Sequence, residues 1–396
     1  MLFTVCHQFV AICHINTNNK QLIIYDLKSD DKSHIDIQSI VCADKNNEKT
    51  QPVTDDYTIL CGDFNARNDC LAIADNRKQL IIFQYIDKQW KQTFKTKVSR
   101  NCIKLLFSIN NSVICGHKSG DVFEYEMNDS YCNSQSGDYL DGGRLLLGHC
   151  SMLLDVIQTQ NGKYLITTDR DEKIRVSRYP NTYNIETYCL GHKEFVSSVG
   201  SFNDKILVSG SGDGSIRLWN INDGKQVNLL NCDPNEDNQT ETRTQFAVKK
   251  LVTNCDILCV SFFKQSVVNV YTYESTNLTI KLIHNLNLKT EPINLYFDIN
   301  ETNVLWILLA TDVKPLNLFK ISEENIINYD IYHKIVDELN NNQRFVNNCV
   351  NALKNTDFEG LYKQSFNNVE TYMKQKQERQ QTNNKKTKFY HFSDDN

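Results

Sequence analysis

The 396-residue sequence lacks several features that would mark a membrane protein, a metal protein or a nucleotide-dependent enzyme. Its longest strongly apolar run, VLWILLA at 304–310, is far too short to cross a bilayer, which excludes an ordinary transmembrane helix. None of its 14 cysteines forms a CxxC pair, so the spacing of zinc ligands is missing. No glycine-rich loop follows a predicted strand, which argues against a nucleotide-type cofactor site in this chain.

Excess positive charge is also absent from the chain as a whole. The net charge is −5, which gives no sign of nucleic-acid binding by the entire protein. The charge is uneven, because residues 374–396 contain six basic and three acidic residues and carry +3, so the rest carries −8. Many of the cysteines lie in apolar runs such as ILCVSF (257–262), where buried reduced thiols are expected.

The N-terminus, MLFTVCHQFVAICHI, has no basic leader and carries polar residues, so we interpret it as two strands rather than a signal peptide. We therefore expect a soluble protein without membrane contact in a reducing compartment. The hydrophobic content of 40% is sufficient for a large folded core.

Seven β-rich runs with an aromatic residue near the end recur along the chain. Their alternation and β-branched content predict strands. Most follow another short apolar run across a polar turn, which predicts a hairpin in each repeat. The runs are QLIIYDL (21–27), QLIIFQY (79–85), DVFEYEM (121–127), KIRVSRY (173–179), SIRLWNI (215–221), VVNVYTY (267–273) and LNLFKIS (316–322).

Two consecutive repeats define the period. Segments 148–179 and 191–220 both begin with Gly-His, and His149 and His192 lie 43 positions apart. This period is typical of a propeller blade. We predict an all-β fold, a seven-bladed β-propeller over 1–329, followed by an α-helical extension at 330–381 and a disordered basic and polar tail at 382–396. The polar insertions at 42–56, 128–141 and 231–244 are predicted to be loops.

The fifth repeat carries His192, Ser209, Asp213 and Trp219. It resembles the WD repeat, in which residues at these places form a buried hydrogen-bond chain from Trp through Ser and His to Asp. Buried polar groups must be paired, so this network is expected to fix the geometry of the turn. A catalytic Ser/His/Asp interpretation is set aside, because the same set recurs as a structural device of the repeat.

The fourth repeat departs from the fifth. Ser177 stands where the fifth repeat has Trp219, and Arg175 precedes it. The turn before these residues carries five successive charged residues. Dense mixed charge on a rigid turn suits orientation-specific ion pairing with a partner protein. The alternative is an internal ion-pair lattice that stiffens the turn. The charged residues of this turn are Asp169, Arg170, Asp171, Glu172 and Lys173.

Several strings of the sequence carry a family resemblance. GHCSMLLDV, TTDRDEKIRVS, CLGHKEFVSSV and SGDGSIRLW resemble the Wuho family of WD-repeat, non-catalytic subunits of tRNA (guanine-N7)-methyltransferase. The resemblance is strong over about 100–220 and again at LYKQSFNNVETYMKQKQER (361–379). It is fainter over the other blades.

The resemblance implies that this chain has no catalytic residue, binds no cofactor or metal and is not itself an enzyme. It implies a heterodimer with a catalytic subunit that uses S-adenosylmethionine and forms N7-methylguanine in the tRNA variable loop. It places Asp169, Arg170, Asp171, Glu172, Lys173 and Arg175 at the subunit interface, with Asp171 also aligned to the turn residue Asp213. The family also implies nuclear residence, with the cytoplasm as an additional place. The alternative is a general scaffold, such as a substrate receptor of a ubiquitin ligase.

The distal segment 361–381 is predicted to form an amphipathic helix. Tyr362, Phe366, Val369 and Met373 recur at steps of four, three and four, which places them on one face. The basic end of this helix either is solvated or meets tRNA. The residues expected near the RNA are Lys374, Lys376 and Arg379.

Overall fold

The computed structural model describes residues 3–6, 8–16, 19–29, 31–36, 57–127, 139–140, 143–232, 246–298, 301–353, 359–363, 373 and 376. They form seven antiparallel sheets, six of four strands and one of five. Each sheet is one blade, and its strands lie side by side in chain order, except that the last two strands of the five-stranded sheet are interchanged. The seven predicted runs are the third strands of the seven blades, so the predicted propeller is confirmed.

The first three blades use thirteen strands. Blade 1 comprises β1 (Phe3–Val5), β2 (Phe9–Asn16), β3 (Asn19–Asp26) and β4 (Lys32–Asp36). Blade 2 comprises β5 (Ile59–Phe64), β6 (Cys70–Asp75), β7 (Gln79–Ile86) and β8 (Gln89–Lys97). Blade 3 comprises β9 (Cys102–Phe107), β10 (Val113–His117), β11 (Asp121–Tyr125), β12 (Tyr139–Leu140) and β13 (Gly143–Gly148).

The remaining four blades have four strands each. Blade 4 comprises β14 (Leu153–Gln158), β15 (Tyr164–Asp169), β16 (Ile174–Arg178) and β17 (Ile185–Cys189). Blade 5 comprises β18 (Val196–Ser201), β19 (Ile206–Ser211), β20 (Ser215–Asn220) and β21 (Gln226–Asn231). Blade 6 comprises β22 (Val248–Asn254), β23 (Ile257–Phe262), β24 (Val267–Glu274) and β25 (Thr279–Asn287). Blade 7 comprises β26 (Pro292–Phe297), β27 (Val304–Leu309), β28 (Leu316–Ile321) and β29 (Ile326–Asn328).

Two of the three predicted loops differ from the structure, each at one of its ends. Residues 139–140 of the insertion 128–141 form β12, which pairs with β13 as the fifth strand of blade 3. Residue 231 is the last of β21 rather than the first of a loop. The described residues do not include 42–56, 128–138, 141, 233–244 or the tail 382–396.

Apolar side chains fill the spaces between neighbouring blades. The second strands are almost continuously buried, as in CLAIAD of β6 and ILCVSF of β23. Cys115 and Cys259 are fully buried free thiols, as their positions in apolar runs predicted. Around the central channel, Lys104 Nζ lies 3.1 Å from Asp155 Oδ1. Because Asp155 also accepts from the Val199 amide at 3.1 Å, one carboxylate joins the inner strands of blades 3, 4 and 5.

Two short helices follow blade 7, where the sequence predicted helical structure. They are α1 (His333–Asn341) and α2 (Gln343–Asn351), and a 3-10 turn follows at Glu359–Leu361. Asn342, within the Asn-rich run, separates them and caps α2 by accepting hydrogen bonds from the amides of Arg344 and Phe345. Among the described residues, no helix has the length and apolar character needed to span a membrane.

The helices join the first and last blades of the ring. Among the described residues, every strand of blade 1 comes from the start of the chain and every strand of blade 7 from its later part, so these blades share no strand there. Glu338 of α1 pairs with Lys32 of blade 1 at 2.8 Å. Asn340, two residues on, bonds the backbone N–H and C=O of Leu316 in blade 7, both at 2.9 Å. We call α1 and α2 the helical clasp.

The apolar side of the clasp continues the core between blades 7 and 1. Its buried cluster contains Tyr25 of blade 1, Trp306 of blade 7, and Leu339 and Phe345 of the helices. The compact unit therefore runs from Met1 to Leu361, beyond the predicted boundary at 329. Residues Tyr362–Asn396 form a second unit.

Candidate partner-binding surface on blade 4

The hydrogen-bond network predicted for blade 5 is present. Trp219 Nε1 donates to Ser209 Oγ at 2.8 Å, and Ser209 Oγ lies 2.7 Å from His192 Nε2. His192 Nδ1 lies 3.1 Å from Asp213 Oδ2, which also accepts from the Lys193 amide at 2.9 Å. Ser209 is fully buried, so this Ser/His/Asp set has no opening for a substrate. Its role is to hold the turn of blade 5.

The protonation states of this network follow from burial. Burial lowers the pKa of His192 and outweighs the opposing hydrogen bond with Asp213. Burial also tends to raise the pKa of Asp213, but the hydrogen bonds from His192, Ser215 and the Lys193 amide outweigh it, so the pKa of Asp213 is lowered. A neutral His192 accepts from the Ser209 hydroxyl and donates to the Asp213 carboxylate, and this completes the chain from Trp219.

We expect the folded chain to lose stability as pH falls through the titration range of His192. Its pKa in the folded state is below the value of about 6.5 expected in an unfolded chain. The unfolded state therefore binds more protons in this range, so the contribution of His192 is complete above about pH 6.5 and decreases toward the folded-state pKa. Thermal unfolding between about pH 7.5 and 5.5 measures this slope. His192→Gln should flatten it, and identical slopes for the two proteins would contradict the assignment.

Blade 4 builds a related network from different residues. His149 Nε2 lies 2.7 Å from Thr167 Oγ1, and His149 Nδ1 lies 2.9 Å from Asp169 Oδ2. The other oxygen of Asp169 accepts from the Lys173 amide at 2.9 Å. Ser177 occupies the place of Trp219, as the sequence indicated, but it bonds to Arg175 and not to the network.

The buried position of Asp169 corrects the predicted partner surface. Its side chain is almost completely buried and bonded on both oxygens, so it is not available to a partner. Burial tends to raise its pKa, but the hydrogen bonds from His149 and the Lys173 amide outweigh burial and lower it. By strand alignment the turn carboxylate was expected at Asp171. Asp169 takes this role because it lies two residues after Thr167 and therefore on the same side of β15.

Arg175 also has an internal role, which differs from its predicted place at the interface. Its Nε donates to Ser177 Oγ at 2.9 Å, and its terminal nitrogens donate to the carbonyls of Thr182 at 2.9 Å and Gly148 at 3.4 Å. Burial lowers its pKa. Arg175 thus links the outer strand of blade 3 to the loop before the outer strand of blade 4.

The other residues of the turn reach the surface. Arg170 has a side chain that is 38% exposed, and its nearest carboxylate oxygen, Asp171 Oδ1, is 4.0 Å from Nε. That distance is too long for a hydrogen bond, and Nε, although buried, has no hydrogen-bond partner within the described chain. Lys173 is exposed, and Asp171 and Glu172 are partly exposed. We call Arg170–Lys173 the charged turn.

The backbone of the charged turn is fixed. The Arg170 amide donates to the Met152 carbonyl at 2.8 Å, and Glu172 adopts a left-handed φ of 69°. Blade 5 has Gly214 at this place, with φ 78°. Lys78 of blade 2 and Lys264 of blade 6 also adopt positive φ in their turns, so this conformation belongs to the blade and is not a special feature of blade 4.

Of the residues predicted to lie near tRNA, only Lys376 is among those the structure describes. It is helical and exposed, as is Met373 of the same predicted helix. Lys374, Arg379, Phe366 and Val369 lie outside the described residues.

Comparison with known proteins places the chain in a family. Residues 134–317 match the family model described as the tRNA methyltransferase TRM82 WD40 domain. The Danio rerio protein named tRNA (guanine-N(7)-)-methyltransferase non-catalytic subunit wdr4 is 30% identical over 397 residues, with 97% of this chain and 91% of that protein covered. This chain belongs to the family of non-catalytic subunits of tRNA (guanine-N(7)-)-methyltransferase. Relatives carrying the same designation include WDR4 of Homo sapiens, 29% identical over 93% of this chain and 86% of that protein, and wuho of Aedes aegypti, 29% identical over 88% and 86%.

Solved structures show that the family fold is widespread. A chain from a structure entitled Crystal Structure of Mitotic Checkpoint Complex aligns with a TM-score of 0.61 at 11% identity, covering 81% of this chain and 90% of that chain. The RRP9 WD40 repeats align with a TM-score of 0.56 at 16% identity, covering 76% and 83%. At such identities the likeness concerns the propeller alone. Because the propeller fold alone does not specify a function, the function of this family is sought in the residues that depart from an ordinary blade.

Proposed function

We propose that this chain binds the catalytic, S-adenosylmethionine-dependent subunit of tRNA (guanine-N7)-methyltransferase through the charged turn of blade 4. The complex is a heterodimer that forms N7-methylguanine in the tRNA variable loop, and the propeller stabilises its partner without taking part in the chemistry. The observation that carries the proposal is Arg170. Its side chain is partly exposed on a fixed turn, and no carboxylate of the described chain hydrogen-bonds to its guanidinium.

Charge and rigidity explain why this turn suits a protein partner. The backbone hydrogen bond of Arg170 to Met152 and the buried His149–Asp169 pair below it hold the turn in one conformation. A partner carboxylate can then meet the guanidinium without ordering a loop, which reduces the entropic cost of binding. Arginine suits this role because its planar group binds a carboxylate at two points.

Replacing Arg170 with leucine should weaken the complex at least about tenfold, equivalent to about 1.4 kcal/mol. The loss arises because the partner carboxylate is left without its cation. Both chains would be co-expressed, a one-to-one complex verified by light scattering, and the dissociation constant measured by calorimetry. Lys225→Leu is the matched control, since Lys225 is an exposed cation between β20 and β21 of blade 5 that pairs with Asp223 at 3.6 Å. Unchanged affinity of the Arg170 variant would refute the role of the charged turn, whereas failure of the wild-type pair to associate would refute the proposed function.

The RNA-proximal assignment of Lys374, Lys376 and Arg379 and the nuclear residence of the complex are part of the same proposal. Both rest on the family resemblance. The exposed, helical position of Lys376 is compatible with a phosphate contact.

A further inference from the structure

The outer strand of blade 4 and its flanks present an unusual set of exposed apolar side chains. Tyr183 precedes β17 and is 74% exposed, and Ile185 and Tyr188 lie on the strand at 42% and 39%. Leu190, just after the strand, is 65% exposed. Single exposed apolar residues are ordinary on a protein surface, but four within eight positions of one edge strand are not. We call these four residues the blade 4 ridge.

A bulge places members of the ridge on one side of the strand. Ile185 pairs with Ser177, and Tyr188 pairs with Arg175. Ile185 and Tyr188 are three residues apart whereas their partners are two apart, because the register shifts between Val176 and Ser177. Ser177 and Arg175 are on the same side of β16, and Arg175 Nε bonds to Ser177 Oγ. Ile185 and Tyr188 therefore share that side, where regular alternation would have separated them.

Four other blades, 1, 2, 5 and 6, do not have this character at the same places. The comparison uses the three outer-strand residues that lie opposite alternate residues of the third strand and the turn before it. In blade 4 those alternate residues are Lys173, which directly precedes β16, Arg175 and Ser177. In blade 4 these positions are Leu190, Tyr188 and Ile185, of which Leu190 is one step beyond the last registered pair, Ile174 with Cys189. In blades 1, 2, 5 and 6, no more than one of the three is apolar. The residues are Asp36, His34 and Lys32 in blade 1; Lys97, Lys95 and Gln92 in blade 2; Asn231, Leu229 and Gln226 in blade 5; and Asn287, Asn285 and Leu282 in blade 6.

The ridge is continuous with the charged turn. Tyr188 faces Arg175 in the register, and Leu190 lies next to the Ile174–Cys189 pair, where the charged turn ends at Lys173. A turn of four residues is too small for a stable interface, which needs about 800 Å² on each partner. Interfaces also take most of their affinity from buried apolar and aromatic residues, surrounded by a polar rim. The charged turn supplies the rim, and the neighbouring ridge supplies the apolar centre.

We propose that the blade 4 ridge binds an apolar surface of the catalytic methyltransferase subunit, next to the carboxylate that meets Arg170. This inference rests on the proposed function and extends its contact from the charged turn to the outer strand. Tyr188 and Leu190 provide the centre of the contact because they are nearest to the charged turn. Ile185 and Tyr183 extend it along the edge of the blade.

The test uses the full chain with its methyltransferase partner. Tyr188→Ser and Leu190→Ser should each weaken the complex about tenfold, and the double variant about a hundredfold. Leu282→Ser is the matched control, because Leu282 is similarly exposed on the outer strand of blade 6. Since the altered side chains are exposed, the thermal unfolding of the variants alone should match that of the wild type, which separates binding from folding.

Salt distinguishes the ridge from the charged turn. The loss caused by Arg170→Leu should shrink at high salt, since screening already weakens the ion pair, whereas the loss caused by the ridge variants should persist. Full affinity of the Tyr188 and Leu190 variants, with Arg170→Leu still weakened, would overturn the ridge and leave the proposed function standing. Dimerisation of the isolated chain that these variants abolish would also overturn it, because the ridge would then bind a second copy.

Discussion

Replacing Phe345 with alanine is expected to lower the free energy of unfolding by about 3–5 kcal/mol. Phe345 is fully buried in the cluster that joins blade 7, blade 1 and the helical clasp. Its removal leaves a cavity where the clasp packs against blades 7 and 1. Chemical denaturation followed by circular dichroism would measure the change.

Val350→Ala provides the control for this expectation. Val350 lies on the same helix but is exposed, so its truncation should alter the free energy of unfolding by no more than about 0.5 kcal/mol. If both variants unfold like the wild type, the clasp does not hold the ring closed. If Phe345→Ala instead unfolds in two steps, the first step would report the separation of the clasp from blades that remain folded.

Trp219→Ala is the second substitution with a large expected effect, again about 3–5 kcal/mol. The indole is fully buried between blades 4 and 5, in a cluster with Tyr164 and Val176. It also donates to Ser209 at 2.8 Å, so its loss leaves the hydrogen-bond chain without its first member.

Trp219→Phe separates these two contributions. It retains most of the apolar surface but removes the N–H group, and should cost about 1–2 kcal/mol. Tyr183→Ala removes an exposed aromatic ring and should have almost no effect on unfolding. An alanine variant as stable as the phenylalanine variant would mean that the ring contributes no packing energy.

Much of the propeller could be predicted because its evidence is local. QLIIFQY and SIRLWNI show β-branched alternation, and each becomes the third strand of its blade. His192, Ser209, Asp213 and Trp219 have a fixed spacing within one repeat, so their network could also be expected.

The candidate site was predictable only in part, because its details depend on side-chain direction and on contacts between blades. The sequence marked Arg170 and Lys173 as unusual, but it could not show that Asp169 faces inward to His149. The TTD string did hold a signal, since Thr167 and Asp169 must lie on one side of a strand. The internal hydrogen bonds of Arg175 could not be predicted, because one acceptor, the Gly148 carbonyl, belongs to blade 3 and another, the Thr182 carbonyl, lies in the loop before β17.

The ridge and the clasp had no local signal of comparable strength. Ile185 and Tyr188 share a side only because of the bulge opposite Val176 and Ser177, and a bulge of this kind is not visible in an alternation pattern. The clasp depends on contacts between Glu338 and Lys32, which are separated by most of the chain.

The clasp also determines when the ring can close during synthesis. Blade 1 leaves the ribosome first, but Phe3 and Tyr25 have no cover until blade 7, Leu339 and Phe345 have been translated. Domains generally fold from the N-terminus as they are made, so the earliest blade must wait with an open apolar flank while the other six accumulate beside it. A chain that ends before the clasp would leave the cluster of Tyr25 and Trp306 without its cover of Leu339 and Phe345, and quality control could recognise the incomplete product by that uncovered apolar surface.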